Sequence, residues 1–300
     1  METPLERAPA ALAAFAGRDE LWLKREDVHE LGVFKWRSTL PVVRRLGSDA
    51  VVTSSTGNHG VAVAWACRQL GVRAIVFVPP DASPPKLALL ESLGAEVRVA
   101  GSDLDEAKDV ARAYAAAEGL PFFEDGADPL QYEAYEAIGD EILAQCPSEP
   151  AAVVMPIGNG ALAGGAGAAL GRRAPGVLRV GVVTRQMPVM AASHEAGAPV
   201  DVPTGRTIAD GLAVRVAIPL AVERLRTAVD LMLRVSEHAI AEALVACHDA
   251  GVEIEPSAAA AVAAVPQLPA GGPVVLVLTG RNLDPAVLDR ARRDPDSFAP

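Results

Sequence analysis

Cysteine, lysine and paired histidine are all scarce in this 300-residue chain. The three cysteines, Cys67, Cys146 and Cys247, stand far apart and form no C-x-x-C, which excludes a zinc ribbon and a disulfide framework. The five histidines never fall three or four residues apart and H-E-x-x-H is missing, so no metal site is expected. The N-terminal METPLERAP has no apolar core of the kind a signal peptide needs, and none is expected. The longest weakly polar stretch, residues 151–170, is interrupted by Pro156, Asn159 and several glycines; it reads as strand, loop and helix, not as a membrane span. Basic clusters are missing too. Lys and Arg total 27 against 38 acidic residues, a net charge of −11, so neither nucleic acid nor a membrane is expected as a partner. A cytoplasmic protein is the expectation. Finally, only four of the 27 basic residues are lysines: Lys24, Lys35, Lys86 and Lys108. Chemistry that needs a lysine amine has four candidates.

What is present describes a folded protein. Half of the residues are hydrophobic and the mean hydropathy is +0.23, which excludes a mostly disordered chain. The length suits one large domain or two small ones. Short β-branched runs alternate with Ala-rich runs. Strands are predicted at residues 49–53, 74–78, 96–99, 151–155, 178–183, 230–235 and 273–278. Helices are predicted at 57–70, 84–93, 102–118, 129–145 and 236–250. That alternation implies an α/β fold with parallel sheets. Residues 49–128 form a βαβαβα unit, and the remainder forms a second sheet assembled from both ends of the chain. The expected domains are therefore 49–128, small, and 1–48 with 129–300, large.

Four pieces carry chemistry. The first is the polar turn that runs from Lys24-Arg25-Glu26-Asp27 through Gly32 to Phe34-Lys35-Trp36-Arg37. The second, Ser54-Ser55-Thr56-Gly57-Asn58-His59-Gly60, follows a strand and opens a helix. The third, Pro156-Ile157-Gly158-Asn159-Gly160-Ala161-Leu162, does the same. The fourth, Thr279-Gly280-Arg281-Asn282, ends the last strand. Ligands of parallel α/β folds bind beyond the carboxyl ends of strands, where three of these pieces lie.

Gly158-x-Gly160-x-x-Ala163 by itself fits a dinucleotide fingerprint. The next strand, however, ends Val183-Thr184-Arg185, without the acidic residue that a dinucleotide ribose requires. A phosphate monoester fits the loop equally well, and close helix–strand packing with no ligand is a third reading. The Ser55-Thr56 run at a helix start could hold a carboxylate through N–H groups and hydroxyls, with Asn58 adding an amide. An ordinary N-cap would explain one hydroxyl of that run, but not Asn58-His59. Among the lysines, Lys86 and Lys108 read as solvated surface and Lys24 as a strand-end charge. Lys35 lies in the most aromatic stretch of the chain, where partial desolvation would favour a neutral, nucleophilic amine.

Taken in order and spacing, these pieces resemble the fold-type II pyridoxal-phosphate enzymes, the tryptophan synthase β superfamily. The branch they resemble is that of the serine/threonine dehydratases and serine racemases. The likeness runs from Thr3-Pro4-Leu5 through the four pieces, Thr207-Ile208-Ala209-Asp210-Gly211-Leu212 and Glu255-Pro256 to Thr279-Gly280-Arg281-Asn282. It implies two three-layer α/β/α domains with mostly parallel sheets, and pyridoxal 5′-phosphate as cofactor. By the same resemblance, Lys35 would bind the cofactor aldehyde as a Schiff base and then act as base at the substrate Cα. Phe34 would pack near the cofactor and Asn58 would bond its 3′-oxygen. Backbone N–H groups of Gly158, Asn159, Gly160, Ala161 and Leu162 would cradle the phosphate, and Thr279 would meet the pyridine nitrogen. Ser55, Thr56, Gly57 and His59 would line the pocket for the substrate carboxylate. Thr56 stands where serine racemases carry a serine acid and is the second candidate catalytic residue.

The chain departs from the family pattern at several positions. Val33 replaces a serine and Ser38 a glycine, while Asn159 and Ala161 interrupt the glycine-rich loop. Arg206 stands where some relatives carry a metal-binding glutamate, so no ion is expected at Asp210. Arg281 could meet a second substrate carboxylate or point to solvent. No regulatory amino-acid-binding domain is expected after the last strand–helix unit.

The function implied is α,β-elimination on a small hydroxy or β-substituted amino acid, releasing a 2-oxo acid and ammonia. The alternatives are β-replacement or threonine-synthase-like chemistry, a catalytically silent pyridoxal-phosphate binder and, most remote, a Rossmann oxidoreductase. A homodimer is expected by analogy with the superfamily.

Overall fold

A computed structural model describes residues 1–82 and 84–300, apart from the side chain of Pro85. In chain order the elements are β1 (Leu5–Arg7), α1 (Ala10–Phe15), β2 (Leu21–Arg25), α2 (Trp36–Leu46), β3 (Ala50–Ser54), α3 (Asn58–Leu70), β4 (Arg73–Val78), α4 (Pro84–Ser92), β5 (Glu96–Val99), α5 (Leu104–Glu118) and α6 (Pro129–Gln145). They continue with β6 (Ala152–Pro156), α7 (Ala161–Arg173), β7 (Leu178–Thr184), α8 (Val189–Ala196), α9 (Pro219–Ala228), β8 (Leu231–Val235), α10 (Glu237–Asp249), α11 (Pro256–Ala263), β9 (Val274–Leu278) and α12 (Pro285–Arg293). The chain divides into two compact units, Met1–Phe34 with Tyr135–Pro300, and Lys35–Ala134. The smaller unit is thus larger than residues 49–128, because α2 packs on α3 and travels with it.

In the smaller unit, β3, β4 and β5 form a parallel sheet in chain order. Val51, Val52 and Thr53 of β3 and Ile75, Val76, Phe77 and Val78 of β4 are all buried, the continuous apolar run expected when both faces are covered. Residues 121–123 extend β3 on its other side. Val52 N–H donates to the Pro121 carbonyl at 3.0 Å, and Phe123 N–H donates to the Val52 carbonyl at 2.8 Å. This short pairing delivers Glu124 and Asp125 to the carboxyl end of β3, where the turn into α3 begins.

The larger unit holds a six-stranded sheet in the order β1-β2-β9-β6-β7-β8, parallel except for β1 against β2. Both ends of the chain contribute, as the sequence predicts. Strands β1 and β2 escape the sequence reading because Glu6, Arg7, Lys24 and Arg25 break their apolar pattern. Helix α11, five of whose eight residues are alanine, is buried along its whole length and packs on β6, β7 and β9; small side chains allow that close approach. Lys24 is not a solvated strand-end charge. It is fully buried, and its Nζ donates to Glu141 Oε2 and the Thr3 carbonyl, each at 2.6 Å, and to Gln145 Oε1 at 3.1 Å. A buried ammonium persists only with such partners. Among the described residues, no helix is long and apolar enough to cross a membrane, and no group of three or more His, Cys, Asp or Glu could hold a metal ion.

Candidate active site

Lys35 immediately precedes the first helical residue of α2, with its side chain 12% exposed. Its carbonyl accepts the Thr39 N–H at 3.0 Å and the Ser38 hydroxyl at 3.3 Å, so Ser38 serves here as a hydroxyl tie to the lysine backbone. The amine does not sit in an apolar enclosure, as its aromatic neighbours in sequence suggest. Its Nζ donates to Asp125 Oδ2 at 2.6 Å.

Three further groups fix Asp125 within the same unit. Gln131 Nε2 donates to Asp125 Oδ1 at 3.0 Å while Gln131 Oε1 accepts the Gly126 N–H at 2.8 Å. Tyr132 Oη donates to the Gly126 carbonyl at 2.7 Å, which ties down the same turn. His59 Nδ1 lies 3.4 Å from Asp125 Oδ1, within ion-pair range but not aligned as a hydrogen bond. Burial alone would raise the Asp125 carboxyl. The Lys35 ammonium and His59 outweigh that burial and hold the carboxyl well below the usual carboxylate range. The His59 ring is 5% exposed, stands edge-on to Phe123, and brings Nε2 to 3.3 Å from the Phe123 carbonyl.

The turn from β3 into α3 holds Ser55, Thr56, Gly57 and Asn58, all half-buried. Gly57 is the N-cap of α3 and supplies no capping side chain, so the helix opens with its positive end uncapped. The Ser55 hydroxyl accepts the Gly57 N–H at 3.1 Å. Gly60 has to be glycine because a Cβ there would collide with the Ser55 carbonyl oxygen.

In the larger unit, Gly158 and Asn159 are half-buried, and Gly160, Ala161 and Leu162 are buried at the start of α7. Gly160 takes φ +95°, the left-handed region that favours glycine. Asn159 does not take a positive φ, the conformation that asparagine tolerates best after glycine. Its Oδ1 instead accepts the Ala161 N–H at 3.0 Å. Gly160 itself provides no side-chain cap, and the first N–H of this helix, that of Ala161, is the one Asn159 accepts. Thr279, 5% exposed, ends β9, and its carbonyl accepts the Phe34 N–H at 3.1 Å. The Phe34 ring lies 5.1 Å from that of Tyr135. The Arg281 guanidinium donates to the Asp27 carbonyl at 2.7 Å and to the His29 carbonyl at 3.3 Å. That arrangement braces the turn before Phe34.

Sequence reasoning missed Asp125 as a site residue. The available signal was an acidic pair just past the apolar Phe122-Phe123, which becomes a strand end only once Phe122 pairs with Val52.

A lysine at a helix start and two helix N-termini with glycine at the N-cap, beyond parallel strands, are the equipment of an enzyme that holds an aldehyde and a phosphate. The chain belongs to the pyridoxal-phosphate dependent enzyme family, whose description matches residues 1–280. It is 34% identical to an L-threonine ammonia-lyase of Thermotoga maritima over 90% of this chain and 69% of that protein. A putative threonine dehydratase of Sinorhizobium fredii is 32% identical over 87% of this chain and 82% of its own length. Among solved structures, a T.th. threonine deaminase is 33% identical with a TM-score of 0.87, covering 94% of this chain and 93% of that one. The processed threonine deaminase isoform 2 of Solanum lycopersicum is 28% identical with a TM-score of 0.90, covering 97% and 87%.

Proposed function

We propose that this chain is a pyridoxal-phosphate dependent ammonia-lyase that carries out α,β-elimination on a small hydroxy amino acid. The observation that carries the proposal is Lys35, held by Asp125 at a helix start, in a chain 34% identical to an L-threonine ammonia-lyase. The residues present fit the cofactor. The positive end of α7 faces a loop of small residues with no acidic side chain, and its N-cap, Gly160, has no side chain to compete with a phosphate.

When bound, pyridoxal phosphate supplies the electron sink that lets a Cα proton leave. The protein supplies binding and proton handling. Backbone N–H groups of the Gly158–Leu162 loop would hold the phosphate. Phe34 and Asn58 would orient the ring. Thr279 would offer the ring nitrogen a hydroxyl rather than a carboxylate, which would favour its unprotonated form. Ser55, Thr56, Gly57 and His59 receive the substrate carboxylate at the uncapped start of α3. Lys35 Nζ takes the Cα proton, and loss of the β-hydroxyl follows. Action in the cytoplasm belongs to the same proposal, as does a homodimer by analogy with the superfamily.

The test is a panel of L-serine, L-threonine and β-substituted alanines, scored for 2-oxo acid and ammonia, with and without an added nucleophile. The purified protein is expected to show a visible cofactor band that borohydride fixes onto Lys35, and to release 2-oxo acid. A colourless protein that takes up no cofactor overturns the reading. Product formation only when a nucleophile is added assigns replacement chemistry instead.

A further inference from the structure

Asp125 is the one acidic side chain bonded to Lys35 Nζ among the contacts described above, at 2.6 Å, and it is itself held from two sides by Gln131 and His59. The side chain is 22% exposed, so it is neither a core brace nor a loose surface charge. Gln131 is fully buried, and its amide is spent on Asp125 and the Gly126 N–H. The loop from Gly126 to Gln131 is thereby folded around one carboxylate, which faces one amine.

We propose that Asp125 is the positioning residue of the base. Its carboxylate aims Lys35 Nζ and stabilises the ammonium formed when that nitrogen removes the substrate's α-proton. The inference rests on the elimination reading above and deepens it. The Cα–H bond breaks, its electron pair remains with the substrate carbon, and a new N–H bond forms on Nζ; no oxidant or reductant is involved. A neutral amine becomes a cation in this step, and a fixed anion at hydrogen-bond distance favours the product of the transfer. The proton stays on nitrogen, because a carboxyl held well below the usual range does not compete for it. Gln131 Nε2 occupies the second carboxylate oxygen, with His59 Nδ1 beside it at 3.4 Å, so the first remains directed at Lys35.

Two measurements test this on Asp125→Asn, Asp125→Ala and Asp125→Glu. The first is competitive acetylation of the cofactor-free protein with acetic anhydride, read by mass spectrometry with Lys86 as internal reference. Labelling of Lys35 is expected to rise about tenfold in the Asn and Ala variants once the charged hydrogen bond is gone. The second is kinetics of the cofactor-loaded enzyme. There kcat is expected to fall about 100-fold in the Asn and Ala variants while KM stays within about threefold, with Asp125→Glu recovering part of the loss. A melting temperature for each variant separates these effects from simple unfolding. Unchanged labelling and unchanged kcat in folded Asn and Ala variants overturn the inference. So do losses that simply track the melting temperature across all three variants. If the wild-type protein binds cofactor but releases no 2-oxo acid, the elimination reading falls instead, and the two failures are distinguishable because acetylation of the cofactor-free variants still reads the hold of Asp125 on Lys35.

Discussion

Gly158 lies directly against the carbonyl oxygen of Gly211, so close that an added Cβ would overlap it. The contact locks the loop proposed to bind phosphate onto the Thr207–Leu212 segment, and backbone meets backbone with no flexible side chain to give way. Gly158→Ala is therefore expected to destabilise the fold by about 1–3 kcal/mol through overpacking. It should also weaken cofactor uptake by at least the same energy. Urea denaturation and spectrophotometric titration with pyridoxal phosphate check the two effects separately. Asn159→Gly, which removes only the bond to the Ala161 N–H, should cost about 1 kcal/mol and leave cofactor uptake nearly intact.

The buried Lys24–Glu141 pair gives a second expectation. Removing one partner leaves an uncompensated charge in the interior, so Lys24→Met should destabilise the protein by about 3–5 kcal/mol. Lys24→Met combined with Glu141→Leu should recover much of the loss, because neither ion of the pair then remains. Chemical denaturation of the two single variants and the double variant measures the coupling.

A third expectation concerns pH. The Glu237 carboxyl is buried at the start of α10, and burial raises it. The Ile208 N–H at 2.8 Å and the Thr207 hydroxyl at 3.1 Å oppose the rise without cancelling it. A carboxyl raised in the folded state binds its proton more tightly there than in the unfolded chain. Stability contributed by this group is present below the ordinary carboxylate value and declines as pH climbs through that value towards the raised one. Glu237→Gln retains an oxygen to accept both bonds and cannot ionise. Its stability should fall less than the wild type's as pH climbs above the ordinary carboxylate value in denaturation curves.

Lys35→Ala should abolish the visible cofactor band, borohydride fixation and 2-oxo acid release while the far-UV circular dichroism stays unchanged. It also deprives Asp125 of its cation. The lowered carboxyl of Asp125 contributes stability above the ordinary carboxylate value that is lost as pH falls towards the folded one. Without Lys35 that contribution shrinks at neutral pH. The variant should be less stable by about 1–3 kcal/mol, and its acid denaturation should be shallower. A pH series of urea midpoints on both proteins decides this.

Much of the molecule was legible from local chemistry alone. Runs such as Val51-Val52-Thr53 and Val274-Val275-Leu276 name their strands, because β-branched residues fill a sheet covered on both faces. Glycines such as Gly71 mark helix ends, since the left-handed turn there suits no other residue as well. The turns proposed to carry the chemistry stand out for the same reason: each is contiguous in sequence, so its residue types and spacing show themselves.

Tertiary structure alone decided where Lys24, Asp125 and the unit boundary belong. Lys24 reads as an ordinary charge until the chain's first residues and α6 close over it. Asp125 is 90 residues from Lys35 in sequence, and the two meet only after Phe122 pairs with Val52 at the edge of β3. Helix α2 joins the smaller unit through its packing on α3, not through any signal in the linker. Short-range hydrogen bonding and hydrophobic periodicity fix the elements. A long-range ion pair depends on loop closure between distant segments, and no local pattern records it.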